Sequence, residues 1–173
     1  PNSFGFRPKR SAHQAIEAIR REVYRKEDVI DLDLKSYFDT IDQKILMQLV
    51  RRRVSAPRVL RLIKLWLRAG VMDDGSWEDS DLGTPQGGVI SPLLANIYLQ
   101  YVLDLWAQQR QSDRSRGEMI IVRWADDFVV GFEHKSQAEK FLTDLKERML
   151  RFGLELNPEK TRILEFGPWA IHN

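Results

Sequence analysis

Three aspartates stand where carboxylates could do chemistry. Asp33 closes the run Asp28-Val29-Ile30-Asp31-Leu32-Asp33-Leu34, and Asp126-Asp127 lies far along the chain between Met119–Trp124 and Phe128–Phe132. The first run alternates as a strand. The later two runs, separated only by Ala125-Asp126-Asp127, read as a tight hairpin with two carboxylates at its tip. In an antiparallel sheet the end of the first strand can lie beside that tip, so the three carboxylates would converge. Like charges held close repel and raise one another's pKa. Two Mg²⁺ ions would relieve the repulsion, because magnesium prefers oxygen ligands and takes a few carboxylates together with substrate phosphates. Two ions about 3.5–4 Å apart stabilise the attacking and leaving oxygens of an in-line displacement. Aspartate is also a common turn residue, so Asp126-Asp127 alone carries little. The tight flanking strands and the second acidic strand end at Asp33 give the pattern its weight.

The elements that must position these groups are legible from periodicity. Ala12, Ile16, Ile19 and Val23 recur at helical spacing over Ala12–Lys26, with Ser11 as N-cap. Asp42–Val54 reads as a helix with Ile45, Leu46, Leu49 and Val50 on one side. Pro57 starts a further helix that ends at Gly70, and Val71–Ser80 suits a short hairpin around Asp74-Gly75. Ser91-Pro92 reads as a cap and first turn, followed by an apolar helix from Leu93 to about Gln108. The polar, basic stretch Gln109–Glu118 is expected to be a loop. Ser136 and Glu139 suggest a capping box for a helix that reaches Phe152 and stops at Gly153. Leu154–Leu156 and Arg162–Phe166 can form strands around Asn157-Pro158. This order predicts an α+β fold, an antiparallel sheet with helices on one face and the other face open to a substrate.

Composition sets outer bounds. The 173 residues suffice for one domain with a hydrophobic core, and 43% apolar with 30% charged residues is ordinary for a globular protein. No cysteine is present, which excludes disulfides and thiolate metal sites, and the three scattered histidines argue against a zinc cluster. No apolar run is long enough to span a membrane. The net charge of +2 and pI near 9.0 say little by themselves. Basic residues cluster at Arg51-Arg52-Arg53, along Arg58, Arg61, Lys64 and Arg68, and from Arg110 to Arg116. Each cluster suits either a solvated helix face or a nucleic-acid contact.

With these motifs in hand the chain resembles a family. Gly83-Thr84-Pro85-Gln86-Gly87-Gly88-Val89-Ile90-Ser91-Pro92-Leu93-Leu94-Ala95-Asn96-Ile97-Tyr98-Leu99 resembles the fourth sequence block of group II intron reverse transcriptases. Asp33-Leu34-Lys35-Ser36-Tyr37-Phe38-Asp39-Thr40-Ile41-Asp42 is similar to their third block, polymerase motif A, and Val122-Arg123-Trp124-Ala125-Asp126-Asp127-Phe128 to their fifth, motif C. Phe152–Thr161 resembles the sixth block and Ser3–Ser11 the second. The match runs through nearly the whole chain in the family's order, and the block from Gly83 to Leu99 is its most specific part.

The resemblance implies a polymerase palm with an antiparallel β-sheet backed by helices, plus partial fingers. Residues 1–27 and about 43–80 would be fingers or palm helices, and 28–42 and 81–173 palm. The N-terminal fingers and the thumb would lie outside residues 1–173, leaving this piece weak or inactive alone. Asp33, Asp126 and Asp127 would bind two Mg²⁺ ions, with the Leu34 carbonyl as a further ligand. Phe38 would lie under the incoming sugar and exclude a 2′-hydroxyl. Gln86 would sit by the nucleotide and the template–primer minor groove, and Gly87-Gly88 would let backbone approach the duplex. Lys160 would approach the triphosphate and could protonate the leaving pyrophosphate, and Arg7 would belong to the fingers near the template or nucleotide.

The motif C aromatic, usually Tyr or Phe, is Trp124 here. The implied partners are an RNA template, a DNA primer, deoxynucleoside triphosphates and intron RNA, in a cytoplasmic, RNA-associated setting without a membrane. The motifs specify neither the particular RNA nor the oligomeric state. Other readings stay open: an RNA-binding splicing scaffold without polymerase activity, or a retron, abortive-infection or CRISPR-linked reverse transcriptase. A nucleotide cyclase is disfavoured, because such enzymes usually carry a Gly-Gly-acidic turn where this chain has Ala125-Asp126-Asp127.

Overall fold

A computed structural model of the chain describes residues 3–23, 25–68, 82–84, 88–112 and 118–165. Four strands form one sheet: β1 (Asp28–Leu32), β2 (Met119–Trp124), β3 (Asp127–Phe132) and β4 (Arg162–Glu165), in the order β2-β3-β1-β4. Every neighbouring pair is antiparallel. This is the α+β arrangement that the element order predicts.

The helices are α1 (Ala12–Ala18), α2 (Tyr37–Thr40), α3 (Gln43–Arg51), α4 (Pro57–Arg68), α5 (Ser91–Leu99), α6 (Leu105–Ser112) and α7 (Lys135–Arg151). Two of them continue into π-helical turns, α1 into Ile19–Val23 and α5 into Gln100–Asp104 before α6. Among the described residues no helix is long and apolar enough to cross a membrane.

Alternation on the strands sorts the core into two layers. Ile30, Leu32, Ile121, Phe128, Val130 and Phe132 pack with residues of α3, α5, α6, α7 and the π turn after α5, including Leu46, Leu99, Leu103, Phe141, Leu145 and Met149. On the opposite sheet face Val29 and Val122 pack against Phe4, Ala15, Ala18 and Val23. The sheet's second face is therefore not open throughout. The N-terminal segment covers it from β2 across to β1, which explains why β1 buries residues on both faces instead of alternating cleanly.

Other expectations shift locally. Ser11 caps α1 as predicted, with a reciprocal pair of bonds to Gln14. Ile16, however, is exposed, and Ala15 and Ala18 take the buried face. Small residues let the helix lie close to the sheet, and the π turn moves Val23 onto the same side. Helix α3 is capped by Asp42, whose carboxylate accepts from the Lys44 and Ile45 amides.

Helix α5 begins one residue earlier than expected, with Ile90 as cap. The predicted capping box at Ser136 is not formed: α7 starts after His134, which makes no side-chain cap. Gly153 does end α7, with φ of 70°. Residues 109–112 are helical rather than loop. Leu156 forms only a bridge to Leu34, and β4 is the one strand of that region. Gly70 and the hairpin expected around Asp74-Gly75 lie outside the described residues.

Candidate active site

Sheet register explains why the aspartates meet. β1 and β3 pair antiparallel down to Leu32 opposite Phe128. One step further along each strand come Asp33 and Asp127. β2 and β3 close at Trp124 opposite Asp127, leaving Ala125 and Asp126 as the turn. Ala125 is left-handed, with φ of 55°. A positive φ at the first turn residue suits a two-residue hairpin between twisted strands. It is uncommon for a side-chain-bearing residue and costs of order 1–3 kcal/mol, so the surroundings must hold it.

Asp33 is fixed from a third direction. Its carbonyl accepts from the Asn157 amide at 2.9 Å, and its Oδ2 receives the Asn157 side-chain Nδ2 at 3.3 Å. The Lys160 ammonium stands 3.0 Å from the same oxygen. The Asn157–Thr161 turn thus delivers both an orienting amide and a counter-charge to Asp33. Burial, then the nearby Asp33 charge, push the Asp126 carboxyl above its ordinary range, against relief from Lys160 and Arg123. Asp127 is pushed up to about 6 by burial, by the Asp126 charge and by its hydrogen bond and charge interaction with Asp33. The hydrogen bond to Asp33 raises the Lys160 pKa in return.

These are hard oxygen donors gathered at one strand end, the donor set magnesium takes. Among the described residues, however, no three histidine, aspartate or glutamate side chains already stand as a metal cage. Asp33 is paired with Lys160 instead. The three carboxylates are of the donor type the metal takes, and Lys160 supplies positive charge that meets part of their repulsion.

The other sequence-predicted residues fall into place unevenly. Leu34 is buried, with its backbone bridged to Leu156 just beyond Asp33. Phe38 is half-buried against the core beside Tyr37, and its backbone meets Gly83 and Thr84. The Phe38 carbonyl accepts from the Thr84 amide at 2.6 Å, and a Cβ on Gly83 would press on the Phe38 and Asp39 carbonyls at 3.0 Å. Gln86 and Gly87 lie outside the described residues. Arg7 bonds the Ser3 carbonyl and lines a groove with Phe6, Leu93 and Tyr101. Among its described contacts there is none with the aspartates.

Sequence reasoning gave no role to Arg123, Asp104, Asn96 or Gly5, which meet beneath the tip. A signal was present: Arg123 interrupts an apolar strand and Asp104 an apolar helix, and buried charges of opposite sign are usually paired.

The sequence profile described as "Reverse transcriptase (RNA-dependent DNA polymerase)" matches residues 1–168. Protein YkfC of Escherichia coli (strain K12) is 36% identical over 93% of this chain and 51% of its own length. Group II intron-encoded protein LtrA of Lactococcus lactis subsp. cremoris is 38% identical over 68% of this chain and 20% of its own length. The chain therefore spans about half of the first relative and about a fifth of the second. Among solved structures, apo telomerase from Candida tropicalis superposes with a TM-score of 0.70 at 13% identity, covering 95% of this chain and 33% of that one, a likeness of fold. A profile match across almost the full length, on a palm-like sheet with its aspartates at one strand end, establishes that this chain belongs to the reverse transcriptase (RNA-dependent DNA polymerase) family.

Proposed function

We propose that the chain is the palm-centred core of an RNA-directed DNA polymerase of the group II intron-encoded kind. In this reading it adds deoxynucleotides to a DNA primer on an RNA template. The observation that carries the proposal is the convergence of Asp33 with Asp126 and Asp127 at the end of the β1–β3 ladder, where burial and mutual charge raise the Asp126 and Asp127 carboxyls. A metal pair bound there supplies charge neutralisation and activation of the attacking oxygen in an in-line displacement. Asp33, Asp126, Asp127 and the Leu34 carbonyl would hold it.

Asn157 orients Asp33 through two hydrogen bonds and so limits its swing. Lys160 is mostly exposed, and its long stem would let the ammonium turn from Asp33 toward a bound triphosphate. Phe38 would set the floor under the incoming sugar, and Gln86 and Arg7 would act on the nucleotide and template. Intron RNA is the proposed natural template, in line with the relatives' names. Positioning and electrostatics carry most of the rate in such a transfer.

The test is primer extension on an RNA template with Mg²⁺ and deoxynucleotides, using the full-length protein that contains this chain. Asp33→Ala and Asp126→Ala are expected to abolish synthesis while leaving RNA binding in place. Near-normal extension by Asp126→Ala would overturn the assignment. A folded parent that binds RNA tightly but extends nothing would be a scaffold.

A further inference from the structure

Arg123 is 2% exposed, yet it carries a full charge one residue from the tip end of its hairpin strand. By alternation its side chain leaves the sheet on the helix face, opposite to the face of Asp127. There it makes four bonds. Nε meets Asp104 Oδ1 at 2.9 Å and Nη2 meets Asp104 Oδ2 at 2.6 Å, a bidentate pair. Nη1 donates to Asn96 Oδ1 at 2.9 Å and to the Ala125 carbonyl at 2.7 Å. Asn96 donates its own Nδ2 to the Gly5 carbonyl at 2.8 Å. Gly5 lies so close that a Cβ there would come within 2.5 Å of the Ala125 nitrogen.

The helix has to be bent out of its ordinary repeat for this to work. Asn96 and Asp104 are eight residues apart, which in a regular α-helix leaves them about 80° out of line. The wider π turn at Gln100–Asp104 takes up that offset, so both side chains reach one guanidinium. Arg148 of α7 bonds the Tyr101 and Val102 carbonyls inside the turn, which stabilises it. A π turn, a buried ion pair and a bridging amide all end on one acceptor, the carbonyl of the left-handed residue between the two strands of the tip.

We propose that Arg123, aimed by Asp104 and Asn96, is a positioning residue that sets the Ala125 turn and thereby the placement of the Asp126 and Asp127 carboxylates for divalent cations. The proposal rests on the polymerase reading of the triad, and its test separates the two. Arg123 touches no substrate; it acts through the turn. A planar fork that serves three acceptors at once is not reproduced by an ammonium on a shorter reach. Arg123→Lys keeps the charge against Asp104 while giving up the Ala125 carbonyl. Asn96→Ala keeps the ion pair intact and removes the amide that aims the fork.

The measurements are steady-state primer extension by the full-length protein, its Mg²⁺ dependence, and direct Mn²⁺ binding followed by electron paramagnetic resonance. Val130→Ala, in the same hairpin but away from the tip, serves as the destabilised control, with thermal unfolding recorded for all variants. Arg123→Lys and Asn96→Ala are expected to lower kcat tenfold or more with KM for the nucleotide changed less than threefold. Both should also weaken Mn²⁺ binding about tenfold, whereas Val130→Ala moves only the unfolding midpoint. If Arg123→Lys and Asn96→Ala lose activity no more than a Val130→Ala protein of equal stability, and bind Mn²⁺ like the parent, the positioning role is wrong. If the parent's synthesis does not depend on Asp126, the polymerase reading fails instead, and Mn²⁺ affinity alone decides the role of Arg123. Should Arg123→Lys fail to fold, Asn96→Ala decides both measurements.

Discussion

Gly5→Ala is the smallest change that tests how tightly the N-terminal segment is fitted to the hairpin tip. The added methyl would stand 2.5 Å from the Ala125 nitrogen, 3.2 Å from the Trp124 carbonyl carbon and 3.3 Å from the Ala125 Cα. All three are backbone atoms, so no side chain can rotate out of the way. Relaxed contacts lie at roughly 3.5 Å, which requires the two backbones to part by about 1 Å.

They are tied on both sides of the clash, by the Phe4 amide on the Arg123 carbonyl at 2.9 Å and by Asn96 on the Gly5 carbonyl at 2.8 Å. Overpacking of this kind costs about 1–3 kcal/mol, and each tie that breaks adds about 0.5–1.5 kcal/mol. We expect a stability loss of about 2–3 kcal/mol by urea unfolding. A 1 Å displacement of the tip corresponds to about a hundredfold loss in turnover, so primer extension should fall by one to two orders of magnitude. A Gly5→Ala protein within about 0.5 kcal/mol and twofold in rate of the parent would refute the close-packing argument.

Two more predictions follow from the carboxylates. Asp127 is raised from its ordinary 3.8 to about 6, so between those values the folded chain binds more protons than the unfolded one. Stability contributed by Asp127 in the metal-free protein is therefore present below pH about 4 and lost as pH rises through about 6. Asp127→Asn should flatten that slope in pH-dependent urea titrations, and an unchanged slope would show that Asp127 is not its source. Lys160→Met removes the cation from Asp33, and Mn²⁺ binding should tighten while nucleotide incorporation slows. Weaker Mn²⁺ binding in that variant would contradict the view that the ammonium and the metal compete for one carboxylate.

Much of the fold was legible because the local signals agreed with it. The Met119–Phe132 hairpin followed from two apolar runs split by a short acidic turn. The convergence with Asp33 followed from strand ends in an antiparallel sheet. What sequence periodicity missed has a common origin in tertiary contact. Ile16 sits on the helical repeat that looks buried, but the sheet is approached by Ala15 and Ala18, whose small side chains permit close packing. The box at Ser136 and Glu139 matched a pattern, while α7 starts after His134 without it. A π turn has no compositional mark, so the alignment of Asn96 with Asp104 was not readable. The covering of the sheet's second face by Phe4, Ala15, Ala18 and Val23 depends on where the N-terminal segment travels, which no local period encodes.

The order in which the strands are made has a consequence for how the protein comes into being. β1 is made before both of its neighbours in the sheet, β3 and β4: Asp28 must wait for Phe132 on one side and Glu165 on the other. Pairings this distant along the chain are slow to form, because loop closure comes before any contact rewards it. Until then β1 has two bare edges and an apolar body, the features that invite association with other chains. The aspartates themselves meet once β1 pairs with β3, but the Asn157 and Lys160 contacts on Asp33 wait for the segment that leads into β4. The nascent polypeptide therefore gathers its carboxylates before it can hold Asp33 in place, and both edges of β1 are covered only once residue 165 has been translated.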